Sequence, residues 1–200
     1  MTRIYVVRHG NTFDKGDTVT RVGGRTDLPL SSSGQAQADA LAKHFADISF
    51  QAAFCSPLQR TRATARAMIG MRTGSPALLI LPFLTEIDYG PDENQPEDKV
   101  LARLGEAALT AWDEDAIPPQ GWLVDPEALK AAWAAFLHRA ATLDEDANIL
   151  VVTSNGIARF LPDVITNKPE SLDRKLKTGA WGEVEIAAGD TCITAWNIRP

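Results

Sequence analysis

Only 2 cysteines and 3 histidines occur among the 200 residues. That excludes a disulfide framework, and no Cys/His cluster has metal-ligand spacing. Cys55 and Cys192 read as reduced packing residues, and neither a metal nor a cofactor is expected. No run of about 18 apolar residues is present to span a bilayer, and no basic-then-apolar leader opens the chain. A cytoplasmic protein without a membrane partner is the expectation. Positive charge is also in short supply: 20 Lys and Arg stand against 26 Asp and Glu, a net charge of -6. The basic stripe that displaces counterions from nucleic acid is therefore missing, and no nucleic acid partner is expected. A local basic pocket for a small anion survives this argument.

The chain also lacks a glycine fingerprint opening a helix after a strand, a nucleophile elbow and any internal repeat. What it has is apolar content, 44% hydrophobic against 23% charged residues. This suits one globular domain over residues 1 to 200, with a cap-like insertion at about 89 to 125. Oligomeric state is not legible, and a homodimer is left open.

Apolar runs at 3 to 8, 52 to 55, 78 to 82 and 148 to 153 read as buried strands. Between them, 34 to 46 reads as a helix entered through Ser31, Ser32 and Ser33. Ser56-Pro57 reads as an N-cap and first helical residue of a helix reaching about 70. Further helices are expected at 97 to 112 and at 126 to 143, the latter with Leu129, Trp133, Phe136, Leu137 and Ala140 on one face. The run containing Asp88, Asp92 and Glu93 reads as a solvated surface. Residues 182 to 198 alternate around Ala188-Gly189-Asp190 as an antiparallel pair at a sheet edge. The class is α/β, a three-layer α/β/α sandwich on a mostly parallel sheet with an antiparallel C-terminal edge.

In such sheets, ligands collect outside the carboxyl ends of the strands. That rule selects Arg8-His9-Gly10, Ser56 to Arg62, Thr85 to Asp88 and Thr153 to Gly156. A histidine converging with two arginines would hold a tetrahedral dianion, because guanidinium forks match phosphate oxygens in pairs. His44 and His138 lie on helices beside Lys43 and Arg139 and read as solvated. Arg62 is a second choice after Arg60.

Four stretches carry a family pattern in order. They are Arg8-His9-Gly10-Asn11-Thr12, Gly24-Arg25-Thr26-Asp27-Leu28-Pro29-Leu30 with Gly34 and Gln37, Ser56-Pro57-Leu58-Gln59-Arg60-Thr61 with Thr64-Ala65, and Glu86-Ile87-Asp88-Tyr89-Gly90. With these the chain resembles the histidine phosphatase superfamily, the phosphoglycerate mutase-like clan. The resemblance implies a metal-independent hydrolase, a phosphatase of small phosphomonoesters, with His9 as the nucleophile that becomes phosphohistidine. It implies that Arg8 and Arg60 hold the phosphoryl oxygens and that Glu86 donates a proton to the leaving alcohol. Asn11 and Thr12 match positions that touch the phosphate or the substrate's edge. Arg25 either meets substrate or braces its loop through Asp27.

At the fourth strand end the family pattern has a second histidine, where this chain has Ser154, followed by Asn155. Either residue could face the anion or only cap the helix starting near Ile157. The alternative function is a catalytically weak or inactive member that binds a phosphorylated ligand or a protein partner. A mutase is a third reading. Lys175, Lys177 and Thr178 stand where a pocket rim would be.

Overall fold

The computed structural model describes residues 1–70, 74–143 and 146–200. Its sheet has six strands in the order β3-β2-β4-β1-β5-β6. β1 (Thr2–Arg8) lies at the centre, parallel to β4 (Asn148–Thr153). β4 is parallel to β2 (Ala52–Cys55), and β2 to β3 (Leu78–Ile80). β5 (Trp181–Ala187) runs antiparallel to β1, and β6 (Asp190–Ile198) closes that edge as a hairpin. The mostly parallel sheet with an antiparallel C-terminal edge is thus as the sequence implies. In register, Ile4, Val6, Ile149 and Val151 face one side, while Tyr5, Val7, Leu150 and Val152 face the other. Both faces are apolar because helices cover both, as parallel strands require.

On one face lie α1 (Ser32–His44) and α2 (Gln59–Ile69), with Leu41, Ala65 and Met68 buried against Tyr5 and Val7. On the other lies α5 (Pro126–Ala140), which inserts Trp133, Phe136 and Leu137. Asp125 accepts the Ala128 N–H at 3.0 Å and Pro126 follows it, so this helix starts by a local signal. Among the described residues no helix is long and apolar enough to cross a membrane.

Three sequence expectations are corrected. α2 begins at Gln59, not at Pro57. The Ser56 hydroxyl is spent on the turn, accepting from Leu58 N at 3.3 Å and sharing a hydrogen with Thr61. The Gln59 N–H is capped instead by Asp27 Oδ1 at 2.7 Å, from a loop 32 residues earlier. The expected helix at 97 to 112 is two helices, α3 (Glu97–Leu104) and α4 (Glu106–Asp115). They part at Gly105, whose φ of 78° ends a right-handed helix. The acidic run is not a solvated face. Asp92 is 2% exposed and paired with Arg103 and the Trp122 indole N–H. Glu93 accepts from the Gly23, Arg25 and Tyr89 amides and from the Thr26 hydroxyl. Asp92 thus braces residues 89 to 125 internally, while Glu93 ties them to the loop between β1 and α1.

Candidate active site

β1 ends beside β4, with Arg8 in register with Thr153 and the His9 N–H donating to the Thr153 carbonyl at 3.1 Å. His9 therefore leaves the sheet at its carboxyl end, 6% exposed. Its Nδ1 lies 2.7 Å from the Gly10 carbonyl. A carbonyl only accepts, so Nδ1 carries the hydrogen and Nε2 keeps the lone pair. Burial, then Arg60 and Arg8, hold the His9 pKa well below its usual 6.5, against the opposing Gly10 hydrogen bond. The imidazole is neutral, with its unprotonated nitrogen turned to Arg60.

Arg60 projects from the first turn of α2 and is fully buried. Its Nε donates to His9 Nε2 at 3.2 Å, Nη1 to the Thr26 carbonyl at 2.7 Å and Nη2 to the Gly23 carbonyl at 3.0 Å. Two loop carbonyls thus fix the guanidinium plane against the imidazole. Arg8 donates Nη1 to the Leu176 carbonyl at 2.9 Å, while its buried Nε has no partner among the described residues. Burial lowers the pKa of both arginines and Glu86 opposes it.

Glu86 follows the turn after β3 and is 7% exposed. One carboxylate oxygen accepts the Ile87 N–H at 2.9 Å, the other the Gly156 N–H at 3.2 Å. Gly156 belongs to the short helix α6 (Asn155–Ala158) after β4. A Cβ at Gly156 would lie 2.0 Å from Glu86 Oε1, so the approach of helix and acid requires glycine.

Ser154 occupies the N-cap of α6, which starts at Asn155 and not near Ile157, and its side chain caps nothing. It is fully buried, and its Oγ has no partner among the described residues. Asn155 lines the cavity, and its Oδ1 accepts the Leu176 N–H at 2.9 Å. Leu176 therefore links Asn155 to Arg8. Asn11 and Thr12 also line the cavity. The Asn11 amide group donates to Ser33 Oγ at 3.1 Å.

Arg25 stands apart. It is 58% exposed, pairs with Asp88 at 2.9 Å and donates to the Gly90 carbonyl at 2.8 Å, so its loop is braced through Asp88 and not through Asp27. Arg62 also lies outside this cavity, in a separate surface depression. Lys175 and Thr178 stand on the rim. Among the described residues no group of three His, Cys, Asp or Glu could hold a metal ion.

The cavity, about 470 Å³, also has walls that strand-end reasoning misses: Arg21, Tyr89, Trp112 and Arg159. Arg21 pairs with Glu97 at 2.5 Å and lies over the rings of Tyr89 and Trp122. Arg159 is 1% exposed, 4.0 Å from the Trp112 ring centroid, and donates to the Trp112 carbonyl. An arginine inside the apolar stretch Ile157 to Pro162 is the one signal that could have marked it.

Comparison with known proteins bears on this geometry. The profile of the family described as "Histidine phosphatase superfamily (branch 1)" matches residues 4–199. The chain is 27% identical over 202 residues to the adenosylcobalamin/alpha-ribazole phosphatase of Salmonella typhimurium, covering 98% of this chain and 96% of that one. It is 33% identical over 203 residues to the uncharacterized phosphatase PhoE of Bacillus subtilis, covering 100% and 96%. The solved mycobacterial glucosyl-3-phosphoglycerate phosphatase shares the fold, with a TM-score of 0.80 at 19% identity over 99% of both chains.

Proposed function

The chain belongs to the histidine phosphatase superfamily (branch 1), and from that premise we propose that it is a metal-independent phosphatase of small phosphomonoesters, working through a phosphohistidine at His9. The observation that carries this reading is the neutral His9, whose Nε2 lone pair faces a fully buried arginine fork. In the first step Nε2 attacks phosphorus, the P–N bond forms and the P–O bond to the alcohol breaks. Arg60 exchanges its contact with Nε2 for the phosphoryl oxygens, and Arg8 offers its unpartnered Nε. Donors already fixed in place stabilise the charge as it spreads over those oxygens.

Glu86 supplies the proton that the departing alkoxide takes up. Protonation of Glu86 weakens the amide bond on the oxygen that takes the hydrogen, and the Gly156 contact, 3.2 Å against 2.9 Å, is the longer. In the second step Glu86 takes a proton from water, the water oxygen attacks phosphorus, and the P–N bond breaks to return neutral His9 and free phosphate. Asn11, Thr12, Ser154 and Asn155 would provide further donors. Residues 89 to 125 would act as the cap that selects the alcohol.

A second reading has its own observation: Ser154, at the place of the family pattern's second histidine, is short, neutral and unpartnered. Loss of one transition-state donor costs about 10²- to 10³-fold in rate, which leaves a weak enzyme or a binder of phosphorylated ligands. Assay of p-nitrophenyl phosphate with excess chelator distinguishes the two readings. Turnover abolished by His9→Ala, with radiolabelled phosphate trapped on the wild-type protein at acid-labile histidine, is the expected result. Turnover that survives His9→Ala would falsify the mechanism. A gain of about tenfold or more in Ser154→His, from a barely active wild type, would favour the second reading.

A further inference from the structure

A phosphate ion displaces on the order of 60–90 Å³, two or three waters' share of liquid volume. The cavity of about 470 Å³ therefore gives most of its space to the alcohol. Five cationic side chains line it, Arg8, Arg21, Arg60, Arg159 and Lys175, against three acidic ones, Glu86, Glu97 and Asp113. The charges sort into local groups. Arg21 is matched by Glu97 at 2.5 Å. Arg8 and Arg60 flank His9 with Glu86 and serve the phosphoryl group. Arg159 and Lys175 remain, sharing the single carboxylate of Asp113 at 3.5 Å and 3.3 Å.

This last group is one positive charge in excess, and its two cations differ in burial. Arg159 is 1% exposed, whereas Asp113 and Lys175 are each 45% exposed. The other partners of Arg159 are the neutral carbonyls of Trp112 and Asn155 and the Trp112 ring. A buried guanidinium compensated by half of a solvated carboxylate carries a desolvation cost that a further anion would offset. Lys175, on a flexible stem at the rim, can leave Asp113 for such an anion at little cost, since a half-exposed pair contributes little.

We propose that the alcohol part of the substrate carries its own carboxylate and that Lys175, backed by Arg159, receives it. One surplus charge fits a carboxylate and not a second phosphate dianion. This inference rests on the phosphatase reading of the same cavity and adds the substrate class to it.

The test uses ω-phosphooxy carboxylates of two, three and four carbons against alkyl phosphates of equal length, with O-phosphoethanolamine as the cationic control. For at least one length, kcat/KM for the carboxylate is expected to exceed that for the alkyl phosphate about tenfold, with phosphoethanolamine lowest. Lys175→Gln should reduce that preference about fivefold, through KM. Asp113→Asn should raise it, because it releases Lys175 and Arg159 from the carboxylate they share. Opposite signs in the two variants separate charge recognition from a merely structural role. Equal preference for both series in the wild type, or a preference that neither variant changes, overturns the proposal. If no phosphate ester is turned over, p-nitrophenyl phosphate included, the phosphatase reading fails by itself. Calorimetric affinities of the same two series then decide the carboxylate site by the same ranking.

Discussion

Histidine chemistry at this site turns on one nitrogen. The Gly10 carbonyl accepts the Nδ1 hydrogen, and burial, then Arg60 and Arg8, keep Nε2 from gaining another. The same arrangement has a stability consequence of fixed sign. Below about pH 6.5 the unfolded histidine binds a proton, while folded His9, with its pKa well depressed, does not. Folding therefore loses stability as pH falls from the unfolded value towards the folded one. Urea unfolding at pH 7.5 and 5.5 should show wild type losing about 1.4 kcal/mol more than His9→Asn over that interval. Identical losses would mean that His9 titrates normally in the folded protein. Arg8, His9 and Arg60 were legible from the sequence because their positions follow from strand ends and a short motif. Arg159 was not, since a buried arginine looks like any other until the Trp112 carbonyl and ring are seen around it.

At the scale of elements, the site depends on how closely α6 approaches the turn that carries Glu86. The four-residue helix places the Gly156 N–H on one carboxylate oxygen and leaves no room for a side chain. Gly156→Ala should push Glu86 aside, costing about 1–3 kcal/mol of stability and lowering kcat by about tenfold or more. KM should move less than kcat, since the arginines proposed to hold the phosphoryl group stay in place. Wild-type kcat in this variant would show that Glu86 is not held where the proton is needed. α5 was readable from its one-sided apolar face, and its start agrees with the local cap at Asp125. α2 was displaced by two residues because its cap, Asp27, comes from a distant loop. Propensity at Ser56-Pro57 carries no information about that loop.

For the whole molecule, the question is what holds residues 89 to 125 over the strand ends. Burial works against the charge of Asp92, but hydrogen bonds from Arg103 and the Trp122 indole outweigh it and hold its pKa below the usual carboxylate value. Trp122 packs against Tyr89 and Trp112 at ring distances of 4.6 Å and 5.4 Å, and the latter two rings line the cavity. Asp92→Asn keeps the shape and removes the charge that compensates Arg103, so a loss of about 2 kcal/mol is expected, Arg103 being partly solvated. KM for phosphomonoesters should rise with it as the wall loosens. Unfolding free energy within about 0.5 kcal/mol of wild type would assign the packing to the aromatic rings alone.

The sequence by itself determined the mostly parallel sheet and the strand ends that line the cavity, because each is written in local order: apolar runs, turn residues and a motif a few residues long. Only the tertiary structure decided which charges face inward. Asp92 and Glu93 look solvated in sequence and are bracing groups in the fold, and Arg25 turns to Asp88. Arg21, Arg159 and Lys175 become one cavity wall only when loops far apart in the chain converge. Burial and charge pairing depend on distances between segments that no local pattern encodes.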